Sequence, residues 1–397
     1  MRRILVLALI AASLIPGRAM AADVHLTGSL AGAPYEIRVP ADWNGTLVVF
    51  AHGYRDKADH PGEVDDRSVT AFWSDPVEEQ MLQHGYAIAG SAYRDNGWAV
   101  DEGIEDTNRL VEHFRTVVGV PRRTLLTGFS MGSLVAFHNA EHYGGLYDGF
   151  MPSCAVGAGA PRSWDGAAAV LALYSTVFGL PAAWGTPGDL RDDLDFETEV
   201  LPRMYAQLTA PGGFAKFEFI RLVIGIPRGP EWPFAVMFFS TEGRAELERR
   251  AGGPVAQNLD HTYRLSTADR AYLAALGLTG VDDWLASVPR FDASKRQYVE
   301  RFADYSGRIK APVLTLDTTT DALVPASHIN AYDQTTAARS DLVANAWTNG
   351  VGHCAFTPQQ LITAVGALDG WVATGVKPSS FPAEQGFVGF EPPPWPQ

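Results

Sequence analysis

Gly128-Phe129-Ser130-Met131-Gly132 is the one G-x-S-x-G segment of the chain. A serine hydroxyl is a poor nucleophile until a base takes its proton, so this serine asks for a histidine and for an acid to orient it. Both lie downstream: Asp321 in Asp321-Ala322-Leu323-Val324-Pro325 and His353 in Val351-Gly352-His353-Cys354. Asp317, at the end of the preceding apolar run, is the rival acid. The five-residue pattern is weak alone and gains weight from its flanks. Thr124–Thr127 reads as a strand and Ser133–Tyr143 as a helix, the setting in which a serine is pushed out of a sheet on a tight turn. Flanking glycines let neighbouring backbone pass, and the helix N-terminus offers N–H groups to a developing oxyanion. The chemistry implied is acyl transfer through a Ser130–His353–Asp321 triad.

Other reactive residues compete less well. His138-Asn139-Ala140-Glu141-His142 spells H-x-x-E-H, an inverted zinc-protease signature. It sits on the helix that starts at Ser130, with His138 ~12 Å further along the axis at 1.5 Å per residue, so the two motifs cannot form one site. Metal catalysis is disfavoured, and no metal or cofactor is expected. Cys154 and Cys354 are the only cysteines and have no CxxC spacing.

Arg2 and Arg3 precede an apolar run from Ile4 to Ile15, and Ala19-Met20-Ala21 offers small residues before a cut. Residues 1–21 therefore read as a signal peptide, and the mature protein as periplasmic or secreted. An oxidising compartment permits a Cys154–Cys354 disulfide; two buried free thiols are the alternative. No other apolar stretch reaches membrane-spanning length uninterrupted, so stable membrane insertion is not expected. The net charge of −14, without a Lys/Arg cluster, argues against nucleic acid. Asn44-Gly45-Thr46 matches a glycosylation sequon but reads better as a turn.

The elements that must hold these residues follow from periodicity. Val24–Leu30, Tyr35–Val39, Thr46–Ala51, Tyr86–Tyr93 and Arg123–Gly128 read as strands, and residues 102–118 as a helix with Ile104, Leu110, Val111, Phe114 and Val117 on one face. The βα rhythm resumes with the strand Pro312–Leu316, the helix Ser327–Ala338, the strand Leu342–Trp347 and the helix Pro358–Val372. Between them, residues 161–306 are helical fragments punctuated by Pro and Gly. The expectation is a mainly parallel sheet flanked by helices (residues 22–160 and 307–376), a helical cap inserted at 161–306, and a Pro- and aromatic-rich arm over 377–397 lying extended on the surface.

With Ala51-His52-Gly53-Tyr54, the 128–132 turn, the D-x-x-V-P of 321–325 and Gly352-His353, the chain resembles the α/β-hydrolases with a large inserted cap. The resemblance implies an α/β-hydrolase fold and the order Ser130…Asp321…His353. It implies an oxyanion hole from the backbone amides of Tyr54 and Met131, and it favours Asp321 over Asp317. It also brings Cys154, beside the nucleophile strand, and Cys354, beside the histidine, to one end of the sheet. Pro40–Gly45 is similar to a segment of tannase-like and feruloyl-esterase-like hydrolases. Those enzymes place a cysteine next to the nucleophile, where this chain has Phe129.

The expected function is an exported serine hydrolase cleaving carboxylic esters of a small or oligomeric substrate. An exopeptidase or amidase of the same fold is the first alternative, with Glu197, Glu199 or Glu218 to grip an amine; a catalytically silent binding protein is the second. His52 is expected to support the oxyanion loop. Tyr93 and Trp98 are candidates for the substrate pocket, and Phe217–Ile226 for a lid helix or ordinary cap core.

Overall fold

A computed structural model describes residues 23–395, so the signal peptide expected over residues 1–21 lies outside the described residues. The described residues contain a nine-stranded sheet. Its first six strands are β1 (Val24–Leu30), β2 (Ala33–Val39), β3 (Thr46–Ala51), β4 (Ala87–Ser91), β5 (Arg123–Phe129) and β6 (Gly149–Ser153). A small hairpin, β7 (Gly185–Thr186) and β8 (Asp189–Leu190), stands apart, and β9 (Val313–Thr320), β10 (Val343–Val351) and β11 (Phe387–Val388) complete the main sheet. Spatial order is β1-β2-β4-β3-β5-β6-β9-β10-β11. The strands from β4 to β10 pair in parallel, while the pairings β1–β2 and β2–β4 at one edge and β10–β11 at the other are antiparallel.

Burial explains the strand sequences. Every residue of β3 and β4 is buried, as expected of central parallel strands covered on both faces, whereas β2 alternates buried and half-buried positions. Leu47, Val49 and Ala51 turn to one face, where α2 (Val100–Val117) and α3 (Met131–His142) bring Leu110, Phe114, Leu134 and Val135. Val48 and Phe50 turn to the other, against Val77 and Met81 of α1 (Asp75–Gln83) and Leu361, Val365 and Leu368 of the last helix. On α2 the apolar stripe is buried down to Phe114, but Val117 in its last turn is exposed.

Between β6 and β9 lie α4 (Gly159–Phe178), α5 (Leu201–Thr209), α6 (Gly213–Ile224), α7 (Phe234–Ser240), α8 (Glu242–Ala251), α9 (Thr267–Ala275), α10 (Val281–Ser287) and α11 (Gln297–Ala303). They gather Leu171, Tyr174, Phe217, Phe219, Ile220 and Met237 into an apolar cluster of their own. The Phe217–Ile226 run is mostly buried in that cluster, so it is core rather than an exposed lipid-facing face. After β9 come α12 (Ser327–Thr335) and α13 (Pro358–Thr374). Thr357 and Gln360 form a reciprocal capping box at the start of α13, Pro358 occupies its first turn, and Gly375 in left-handed backbone ends it.

The C-terminal arm runs along the surface: of residues 377–395 only Phe387 is buried. Phe387–Val388 pairs with β10, and the Trp395 amide donates to Asn330 Oδ1 of α12 at 3.2 Å. Aromatic residues anchor it there: Phe387 packs into the sheet-face core and stacks on Phe381.

Candidate active site

Ser130 occupies the turn between β5 and α3 with φ 54° and ψ −121°, a strained conformation for a residue with a side chain. The two glycines show why the turn needs them. A Cβ on Gly128 would overlap the Gly132 carbonyl, and one on Gly132 would overlap the Ala51 carbonyl of β3, so only glycine lets α3 leave this close to the sheet. Ser130 N donates to Ser153 O at 3.0 Å, and the Ser133 hydroxyl donates to Ser130 O at 2.6 Å, fixing the turn from both sides.

The acid and the base come from the loops after β9 and β10. His353 Nε2 lies 2.8 Å from Ser130 Oγ, and its Nδ1 lies 2.7 Å from Asp321 Oδ2. The other Asp321 oxygen accepts from the amides of Leu323 and Val324 at 2.8 Å each, so a local turn locks the carboxylate before it meets the imidazole. Burial pulls the His353 pKa down, but the charge and hydrogen bond of Asp321, with the charges of Glu231 and Asp317, outweigh it and leave the pKa raised. Asp317 is not in contact with the imidazole. One oxygen accepts from Ala155 N at 2.8 Å, the other is buried without a partner, and burial pushes its pKa up to about 7.

The loop after β3, which carries the expected oxyanion amide, passes close to Ser130. A Cβ on Gly53 would stand 3.2 Å from Ser130 Cβ, so the Tyr54 amide that follows sits beside the serine. Among the described residues neither the Tyr54 nor the Met131 N–H has a protein acceptor. Behind the loop, the His52 ring donates to Gly53 O at 2.7 Å and stacks on Tyr93 at 3.9 Å, and the Tyr93 hydroxyl donates to His52 O at 3.2 Å. Burial drives the His52 pKa down to about 3, which keeps the ring a neutral buttress.

Tyr93 is therefore not a pocket residue. It is wholly buried, because its left-handed backbone turns the ring under the oxyanion loop instead of toward the cavity. Trp98 does line the cavity, together with Ser130, Met131, Tyr54, Trp164, Phe239 and Val324. Glu197, Glu199 and Glu218 do not line it; Arg221 and Arg228 hold Glu218, and Arg191 holds Glu199. His138 turns away from the serine, its Nδ1 bonded to Phe302 O at 2.8 Å. Cys154 and Cys354 are joined by a disulfide with Cα atoms 5.1 Å apart, tying the segment after β6 to the residue after His353.

Sequence reasoning missed Glu231. This residue, in the loop between α6 and α7, accepts from the His353 amide at 2.6 Å with Oε1 and from the Ala322 amide at 3.3 Å with Oε2. One carboxylate from the helical segment thus grips the backbone of both the histidine and the aspartate loops. It lies 122 residues before His353, in a stretch with no motif to mark it.

Residues 18–161 match a family described as a tannase-like family of unknown function. Along 88% of its length and 87% of the relative's, the chain is 25% identical to o-phthalyl amidase of Xanthobacter agilis. Two of the similar solved structures are the closed state of Candida antarctica lipase A and an esterase of Pyrococcus furiosus. The first shares 12% identity, covers 90% of this chain and 78% of its own, and has a TM-score of 0.45. The second shares 14% identity over 87% of each chain, with a TM-score of 0.42. Sheet order, the serine turn between β5 and α3, and the acid and histidine loops after β9 and β10 together make this chain an α/β-hydrolase in fold, similar over residues 18–161 to the tannase-like family.

Proposed function

We propose that this protein is an exported serine hydrolase that cleaves carboxylic esters through an acyl-enzyme on Ser130. The observation that carries the reading is the unbroken hydrogen-bond chain from Ser130 Oγ through both nitrogens of His353 to Asp321. In the first half-reaction Ser130 Oγ attacks the substrate carbonyl carbon while His353 Nε2 takes its proton. The carbonyl oxygen becomes an oxyanion facing the Tyr54 and Met131 N–H groups. Collapse of that intermediate breaks the bond to the leaving oxygen, which receives the proton from His353. Water, deprotonated by the same nitrogen, then attacks the acyl-serine, and the proton returns to Ser130 as the acid is released. Asp321 holds Nδ1 protonated throughout and stabilises the imidazolium. The helices between β6 and β9 act as the cap over this site, and their mostly apolar walls suit the carbon chain of an acyl or alcohol group.

A second reading, amide cleavage by the same machinery, is favoured by the likeness to o-phthalyl amidase. For the exported form, residues 1–21 supply the signal; none of the described helices is long and apolar enough to cross a membrane. The test is labelling with a fluorophosphonate, the adduct mapped by mass spectrometry, followed by matched aryl esters and anilides. An adduct on Ser130 and ester turnover are expected. Anilide turnover alone would move the assignment to the amidase reading, and a protein that neither labels nor turns over either substrate would overturn both.

A further inference from the structure

The cavity over Ser130 has a volume of about 350 Å³ and mostly apolar walls, yet one cation in it has no counter-charge among the described residues. Arg162, on the first turn of α4, lines it and forms no ion pair among the described residues. Its Nε donates to Ala158 O at 2.8 Å, which fixes the stem and leaves both terminal nitrogens without an acceptor among the described residues. Arg296, the other guanidinium of the cavity, is closed on Asp165 by two bonds of 2.8 and 2.9 Å. The remaining carboxylate of the lining, Asp260, is exposed and outside ion-pair distance of Arg162.

Two further side chains shape the space around this fork. The Trp395 ring centroid lies 6.0 Å from the Arg162 guanidinium carbon, and His328 packs edge-on to the same ring at 4.7 Å. His328 Nδ1 accepts from Ala158 N at 3.4 Å, which puts the ring proton on Nε2. Burial, with the charge of Arg162 adding to it, holds its pKa down to about 3, so it is a neutral donor. Ala158 thus anchors both groups, its carbonyl taking Arg162 and its amide His328. A guanidinium held half-buried in an apolar cavity with its end-on fork free is matched by a carboxylate, which pairs with it through two parallel bonds.

We propose that Arg162, flanked by His328 and Trp395, is an anion subsite that binds a free carboxylate on the substrate, so that the preferred substrates are monoesters of dicarboxylic acids. The scissile carbonyl lies at Ser130, the free carboxylate lies at Arg162, and the carbon chain between them lies along the apolar wall. The substrate preference rests on the hydrolase reading above; the subsite itself does not.

The experiment therefore has a binding arm and a turnover arm. In the first, calorimetry measures monomethyl glutarate binding to Ser130→Ala and to Ser130→Ala/Arg162→Met. Saturable binding that weakens with salt is expected in the single variant and is lost in the double. In the second, monophenyl glutarate is compared with its methyl phenyl diester. The wild type is expected to favour the monoester in kcat/KM, and the monoester-to-diester ratio to fall by on the order of ten- to a hundredfold in Arg162→Met. Arg162→Lys, which keeps the charge and loses the fork, is expected to fall between. Equal glutarate binding by the two calorimetry variants, or a wild-type preference for the diester, overturns the subsite. Binding lost with Arg162 in a protein that turns over neither ester leaves the subsite standing and overturns the hydrolase reading. A cooperative thermal transition in each variant guards against loss of fold, and if Arg162→Met unfolds, the Arg162→Lys ratio decides.

Discussion

Replacing Asp321 by asparagine separates the two candidate acids, and the hydrogen bonds around the carboxylate say how. Asp321 Oδ1 accepts two backbone N–H groups, from Leu323 and Val324, so an asparagine there keeps its carbonyl oxygen on that side. Its NH2 group then takes the place of Oδ2, 2.7 Å from His353 Nδ1, and donates where the carboxylate accepted. The imidazole is driven to the tautomer with its proton on Nε2, so two donors face each other across the 2.8 Å to Ser130 Oγ and no base remains. A wrong tautomer in a triad with its geometry intact costs about 10⁴ in kcat, or about 5.4 kcal/mol of transition-state stabilisation. Asp317→Asn keeps the acceptor for Ala155 N, and its second oxygen, buried without a partner, loses nothing by becoming an amide nitrogen. Its effect on kcat/KM should stay below about tenfold. The assay is steady-state hydrolysis of an aryl ester from pH 5 to 9 for wild type and both variants. The wild-type acid limb should lie above the ordinary histidine value of 6.5, since the base must be neutral and its pKa is raised. In residual Asp321→Asn activity that limb should move to lower pH. The reasoning is refuted if Asp317→Asn is the more damaging change, or if Asp321→Asn keeps more than a tenth of wild-type kcat.

Ser130→Ala should fold normally and lose on the order of 10³–10⁶ in kcat, read by turnover alongside an unchanged thermal transition. Reducing the Cys154–Cys354 bridge should lower the urea midpoint, because a cross-link across 200 residues restricts the unfolded chain by about 5 kcal/mol in the entropic account; an unchanged midpoint with two titratable thiols would dismiss that contribution. Glu231→Gln should slow fluorophosphonate labelling and shift the acid limb of kcat/KM to lower pH, since a charge that raises the His353 pKa is lost while one acceptor stays. Stability should also report Asp317. Its folded pKa of about 7 lies above the unfolded 3.8, so its contribution is fully present below pH 3.8 and is lost as pH rises through 7. Asp317→Asn should flatten that part of a denaturation-midpoint profile.

How much of this was legible in the sequence depends on how local each constraint is. The serine turn was legible because its physics is short-range: Gly128 and Gly132 are needed for the crossing of two backbones that their own segment creates. The choice of Asp321 over Asp317 came from a resemblance, and the structure gives the physical ground: the loop residues Leu323 and Val324 present the carboxylate, whereas the strand end points Asp317 at Ala155. Strands β3 and β4 could be read as apolar runs because parallel central strands are covered on both faces. Tyr93 was misplaced because an aromatic residue after a strand fits a pocket wall and a core equally well, and only its positive φ sends it beneath the loop.

What could not be read are the groups whose partners are remote in sequence and unmarked by type. Glu231 reaches His353 and Ala322 from a loop between cap helices, and Trp395 reaches Arg162 from the far end of the chain. Both contacts come from elements outside the β9–β10 loops that carry the acid and base. The placement has a physical consequence. The sheet supplies a rigid frame for attack on a carbonyl, which the many chemistries of one fold leave unspecific. The helical segment and the C-terminal arm add a carboxylate on the His353 and Ala322 amides and a guanidinium that lines the cavity beside Trp395. Because Glu231 accepts from the amides of both His353 and Ala322, one side chain of the helical segment ties together the two loops that follow β9 and β10. Glu231→Gln, which removes the charge and keeps one acceptor, is the substitution that tests this anchorage.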